Sequence, residues 1–157
     1  MLGQQAAAIQ VMKMASKAML PTRGSRFSAG HDLYALQDML IPAQGQKLIG
    51  TGIAIIIPQG TYARIAPRSG LGYTESIAIS RGVIDADYTG EVKVIMMNQG
   101  KKFYQVQEGD RIVQMISEKI DMSGMMEVDH LQITDRGNQG FGSTALSPKR
   151  TIAVEQV

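Results

Sequence analysis

At 157 residues the chain is long enough for one domain and too short for two ordinary ones, and a domain of that size can bury a core without covalent staples. It has no cysteine, which excludes disulfides, thiolate metal sites and cysteine nucleophiles. Sixteen basic against fourteen acidic residues leave a net charge of +2 with no basic run, so no direct nucleic-acid binding is expected. The longest strongly apolar stretch, Ile53 to Pro58, is far too short to cross a bilayer as a helix, and no membrane partner is expected.

In chain order, residues 1–20 carry two lysines, several alanines and no acid. They read as a loose extension to about residue 8, then a first strand around Ile9 to Met14. A transit peptide is the less favoured reading, because such peptides are usually rich in Arg and Ser, and this segment has no Arg and one serine, Ser16. Lys47–Pro58, Thr61–Pro67, Glu91–Asn98 and Arg111–Ile120 are rich in β-branched residues and bounded by Gly, Pro, Asn or Asp, the signature of strands closed by turns. Outside the alanine-rich start there is no apolar stripe of helical period. Many short strands predict an all-β single domain, a sandwich or barrel. Eleven methionines stand against three phenylalanines and no tryptophan, and are expected to fill core gaps.

Five segments are not explained by strand composition: SAGHDLYA at 28–35, PRSGLG at 67–72, GVIDADYTGEV at 82–92, GDRIVQMI at 109–116 and RGNQGFGST at 136–144. In the last, glycines let the backbone approach an anion and its N–H groups form a nest. Arg136 adds a multi-donor cation suited to phosphate, Ser143 and Thr144 add hydroxyls, and Phe141 is placed to stack on a flat ligand. An ordinary tail fits the same composition. PRSGLG is compatible with a plain turn carrying an exposed arginine. Asp85, Asp87 and Glu91 lie within seven residues of an otherwise apolar hairpin, where carboxylates serve a metal or a base, or simply hydrate a turn. Asp32 and Asp110 divide in the same way. Two arginine-bearing loops, several acids and a stackable ring nevertheless converge on a nucleoside triphosphate with Mg2+. The two histidines, His31 and His130, have no zinc spacing.

In this order and with these gaps, the five segments resemble the motifs of the trimeric dUTP pyrophosphatase family, from about Leu20 to Thr144. The resemblance implies a jelly-roll-like β-barrel with an extended C-terminal arm from about residue 136, assembled as a homotrimer whose active sites are shared between chains. It implies hydrolysis of dUTP to dUMP and pyrophosphate, with Mg2+ as cofactor. Asp85 would hold and activate the attacking water. Asp32 would support Mg2+ through coordinated water, the metal being held mainly by substrate phosphates. Arg68, Ser69 and Gly70 would contact the phosphates, and Gln114 would sit near the α-phosphate. Tyr88 would lie against the deoxyribose and exclude a 2′-hydroxyl, while the hairpin backbone from about Ile79 to Ile84, including Gly82, would read uracil. From another subunit's arm, Phe141 would stack on uracil, with Arg136, Gly140, Gly142, Ser143 and Thr144 around the distal phosphates. An intracellular location in cytoplasm or nucleus is expected, with organelle, viral or mobile-element origin left open.

Four positions depart from the family pattern. His31 stands at a usual tyrosine and is expected to pack locally. Ser76 replaces a frequent glycine, and Ser80-Arg81 enters the uracil-reading hairpin, with Arg81 expected to point outward. The competing readings are a deoxycytidine triphosphate deaminase relative of the same fold, and a catalytically weak binding or polyprotein domain.

Overall fold

The computed structural model describes residues 8–68, 70, 75–80 and 82–140. Ten strands are formed: β1 (Gln10–Lys13), β2 (His31–Tyr34), β3 (Met39–Ile41), β4 (Gln46–Ile56), β5 (Thr61–Ala66), β6 (Ile77–Ile79), β7 (Gly82–Ile84), β8 (Glu91–Asn98), β9 (Tyr104–Val106) and β10 (Arg111–Lys119). All pairings are antiparallel. Sheet A runs β1-β4-β8-β6, sheet B runs β2-β10-β5-β7, and β3-β9 form a small third sheet. The expected all-β, jelly-roll-like architecture is present, as separate sheets rather than a closed barrel. No helix among the described residues is long and apolar enough to cross a membrane.

The expected strands at 9–14, 47–58, 61–67, 91–98 and 111–120 all form, within a few residues of their predicted ends. Strand β8 shows why. Val92, Val94, Met96 and Asn98 are buried while their neighbours are not, the period of two that a half-buried strand imposes. Val92, Val94 and Met96 join Leu33, Ile49, Ile53, Ile55, Ile112, Val113 and Met115 in one core cluster. Two buried polar side chains are both satisfied. Thr51 Oγ1 donates to Val92 O at 2.6 Å, and Asn98 Nδ2 donates to Ile41 O at 3.2 Å and Lys102 O at 2.8 Å.

Three expectations are corrected. First, the segment from Ile79 to Ile84 is not a simple hairpin: β6 pairs with β8 in sheet A and β7 with β5 in sheet B, so the chain crosses between sheets, and both strands are sheet edges. Second, the hairpin expected around Asp85, Asp87 and Glu91 is a turn joining β7 to β8, again between sheets. Third, methionine is mainly not a core filler. Met96 and Met115 are buried, but Met12, Met14, Met19, Met122, Met125 and Met126 are exposed. The core is filled instead by isoleucine and valine, which pack well on a pleated surface.

The chain divides into two units, Met1–Met122 and Ser123–Val157. The first holds every strand. In the second, the described residues 123–140 have little regular structure beyond a turn in which Gly137, at φ +51, donates from its N–H to Thr134 O at 3.0 Å.

Candidate active site

Sheet B brings three of the five segments together. Gln114 on β10 stands opposite Asp32 on β2 and opposite Ala66 on β5, so the first, second and fourth motifs meet at one level of the sheet. Asp32 is fixed on its other side as well. Its backbone N–H donates to Thr22 O at 2.7 Å, and its carbonyl accepts from Thr22 N at 3.3 Å.

A bulge decides which side chains share that level. In β10, Ile112 and Val113 are both buried, and the register with β2 slips between Arg111 and Val113. Two successive inward residues put Arg111 and Gln114, three apart, on the same outer face, where strict alternation would have opposed them. Asp32 points to that face, with its inward neighbour Leu33 buried.

There Asp32 receives two guanidinium groups: Arg68 Nε lies 3.3 Å from Oδ1, and Arg111 Nη1 lies 3.5 Å from Oδ2. Its side chain is 13% exposed, well shielded for a charged group but open at one side. Arg68 Nη1 also donates to Arg111 O at 2.9 Å, tying the loop after β5 to β10. Gln114 Nε2 donates to Pro67 O at 3.0 Å. A Cβ on Gly30 would fall 3.0 Å from Gln114 Oε1 and 3.1 Å from Met115 O, so this glycine clears the space the carboxamide occupies. Beside the cluster, Arg68, Arg111, Asp110 and Tyr104 line an open cavity of about 240 Å3.

The third motif lies elsewhere. Asp85 follows Ile84, which pairs with Ala63, whereas Asp32 stands level with Ala66. Three strand spacings of about 4.8 Å and about four residues of 3.3 Å rise separate the two aspartates by roughly 20 Å along the sheet. Within the 85–88 turn, Tyr88 N donates to Asp85 O at 3.1 Å, and Tyr88 Oη donates to Glu91 O at 2.9 Å. Tyr88 is about half exposed.

His31 is held below its ordinary pKa by burial, then by the Arg23 charge. The Tyr104 phenol is raised by burial, with Asp110 and Glu75 adding to the effect. Glu118 is lowered by hydrogen bonds from Arg64 and Tyr62, a surface pairing between β10 and β5.

Of the expected site residues, Asp32, Arg68 and Gln114 are brought together. Asp85, Tyr88, Gly82 and Ile84 lie at the far edge of sheet B, and Gly70 follows the Arg68 loop. Arg136 and Gly140 belong to the second unit, where Arg136 Nε donates to Gln139 O at 3.2 Å. Ser69, Phe141, Gly142, Ser143, Thr144 and the variant Arg81 lie outside the described residues. Arg111 and Gly30 were not singled out from sequence. The adjacent apolar pair Ile112-Val113, which breaks alternation in GDRIVQ, was the readable signal for Arg111.

The family model described as dUTPase matches residues 16–145. The deoxyuridine 5′-triphosphate nucleotidohydrolase of Debaryomyces hansenii is 51% identical over 138 residues, covering 87% of this chain and 86% of its own. That of Arabidopsis thaliana is 52% identical, covering 87% and 82% respectively. That of Saccharomyces cerevisiae is 46% identical, covering 87% and 93%. Among solved structures, a mutant of the Staphylococcus bacteriophage 80alpha dUTPase with dUpNHpp superposes with a TM-score of 0.82 at 23% identity, over 87% of this chain and 97% of that one. The dUTPase of phage phi11, described with a structural Mg(II) ion, gives 0.76 at 22% identity, over 81% and 100%. At these identities the structural matches establish the fold.

Proposed function

The chain belongs to the dUTPase family, and from that premise we propose that it hydrolyses dUTP to dUMP and pyrophosphate at a site shared between copies of the chain. The observation that carries this reading is the convergence of Arg68 and Arg111 on Asp32, with Gln114 alongside, on one outer face of sheet B. Guanidinium groups suit phosphate oxygens because their donors lie in a fixed plane.

In the reaction, a water oxygen bonds to the α-phosphorus as the bond to the bridging oxygen of the pyrophosphate breaks, and Asp85 takes the water proton. Arg68 and Arg111 stabilise the negative charge that grows on the phosphate oxygens. Gln114, held by Pro67 and given room by Gly30, orients an α-phosphate oxygen or the water. The edge strands β6 and β7 would present backbone groups to uracil, and Gly82 keeps that approach free of a side chain. A donor or acceptor mismatched by cytosine is left buried and unpaired, which supports discrimination.

The donor set fits Mg2+ carried on the triphosphate. One carboxylate flanked by two guanidiniums is no cage for a bare divalent ion, and no group of three acidic or histidine ligands occurs among the described residues. Mg2+ commonly keeps its waters and binds through one or two carboxylates plus substrate phosphates. Asp32 would hold such a water, and the ion when bound would neutralise the leaving pyrophosphate.

Sharing of the site is supported by the separation of Asp32 and Asp85, roughly 20 Å along sheet B. A homotrimer supplies Asp85 and Tyr88 from a second copy and the 136–144 segment from a third. The apolar side chains of Met125, Met126, Leu131 and Ile133, all strongly exposed, are surface that such an assembly would cover.

The test is pyrophosphate release from dUTP with Mg2+, beside dCTP, dTTP and UTP, for the wild type and Asp85→Asn. Release from dUTP alone, reduced by two orders of magnitude or more in the variant (roughly what loss of general-base catalysis costs), is expected. A folded protein that leaves dUTP intact overturns the reading, and turnover of dCTP to dUTP identifies a deaminase instead.

A further inference from the structure

We infer that Glu91, acting through Gly90 and a bulge in β4, is a positioning residue that sets the orientation of Tyr88 and with it the discrimination between deoxyribose and ribose. The inference rests on the reading of Tyr88 as the sugar-contacting residue.

The ladder between β4 and β8 breaks opposite Glu91. Gly50 pairs with Lys93 and Ala54 with Glu91, so three residues of β4 (Thr51, Gly52 and Ile53) face one residue, Val92, of β8. A bulge of that size frees backbone donors that need partners. The Glu91 carboxylate supplies one: Oε1 accepts from Gly52 N at 3.0 Å, while Oε2 lies 3.3 Å from Lys93 Nζ. The carboxylate is largely shielded, at 23% exposure. The fit is close, since a Cβ on Gly50 would stand 2.6 Å from Oε1, and Gly52 holds φ +68.

The same residue carries Tyr88 at its other end. Tyr88 Oη donates to the Glu91 carbonyl at 2.9 Å, and the ring lies over Gly90, where a Cβ would fall 2.6 Å from Oη and 2.7 Å from Cζ. The hydrogen bond from the Tyr88 hydroxyl thus ends on a backbone oxygen of the same residue whose carboxylate is tied to the β4 bulge. A side chain half exposed and held by one hydrogen bond keeps its rotamer only if that acceptor stays in place. Asp85, whose carbonyl accepts from Tyr88 N, belongs to the same turn and is anchored from the same point.

The experiment compares kcat and KM for dUTP and UTP in the wild type, Glu91→Ala, Glu91→Gln, Gly90→Ala and Tyr88→Ala, with Tm measured for each. Glu91→Ala and Gly90→Ala are expected to raise the UTP-to-dUTP ratio of kcat/KM by on the order of tenfold, since misplacement of about an ångström costs up to two decades in rate. Glu91→Gln retains an oxygen that can accept from Gly52 N–H, and is expected to recover most of the wild-type selectivity. A fall in Tm with an unchanged substrate ratio in both Glu91→Ala and Gly90→Ala would show a purely structural role and overturn the proposal. If Glu91→Ala does not fold, Glu91→Asp, whose shorter side chain draws the carboxylate back from Gly52 N–H, decides the matter by the same ratio. An unchanged ratio in Tyr88→Ala would instead refute the sugar-contacting role of Tyr88, and a wild type inactive on dUTP would refute the functional reading.

Discussion

Asp32 meets two arginines because a bulge turns Arg111 and Gln114 to the same side of β10, and because Thr22 holds both backbone groups of Asp32 while Gln114 stands opposite it on the other side. The carboxylate bridges the two guanidiniums, and in the proposed site it would also face the substrate. Asp32→Asn keeps the shape and removes the charge. Expected is a fall in kcat on dUTP of about a hundredfold, the usual order for losing one electrostatic group, with Tm little changed, as checked by steady-state kinetics and calorimetry. Asp32, Arg68 and Gln114 were readable because each is a chemically distinctive residue inside a motif. The role of Gly30 was not, Arg111 was marked only by the apolar pair that follows it, and Glu91 was read as a metal ligand, base or turn residue rather than as a partner of β4. Arg111 depends on a bulge, Gly30 on a neighbour from another strand, and Glu91 on a gap in β4 forty residues earlier.

Among the elements, β4 and β8 are the pair on which the rest is hung. β8 follows strict alternation and was legible at once. β4 is not regular: its middle, Thr51 to Ala54, is buried without a break, because the bulge turns successive residues inward. Gly52 sits at its centre at φ +68, and a Cβ there would fall 2.7 Å from Leu36 Cδ1 and 2.9 Å from Ala18 Cβ. Gly52→Ala adds backbone strain and overpacking together, and an equilibrium denaturation midpoint should show a loss of about 2–4 kcal/mol. Apart from β1, the strands of three or four residues, β2, β3, β6, β7 and β9, were not legible from period, because so short a run holds too few periods to show one. That Ile79 to Ile84 would divide between two sheets was equally unreadable. Partner choice is settled by which edges the core leaves free.

For the molecule as a whole, the roughly 20 Å between Asp32 and Asp85 along sheet B is the decisive length. If each site takes Asp32 from one copy and Asp85 from another, two inactive variants complement each other. Mixing Asp32→Asn with Asp85→Asn by co-refolding is expected to restore about one quarter of wild-type activity, the share of sites that draw both intact residues at random in a closed ring. Each variant refolded alone is expected to stay inactive. A mixture no more active than its components would mean that one chain supplies both residues.

The amino-acid sequence by itself determined that the chain is all-β and where its longer strands lie, and it set apart five segments that strand composition does not explain. Those properties depend on local period, turn residues and side-chain type, and each is present within a dozen neighbouring positions. Tertiary structure alone decided that Arg111 joins Asp32, that Gly30 makes room for Gln114, and that Glu91 closes a bulge in β4. It also parted Asp85 from Asp32. These are matters of register between strands far apart in the chain, and register is set by the shared core rather than by any segment alone.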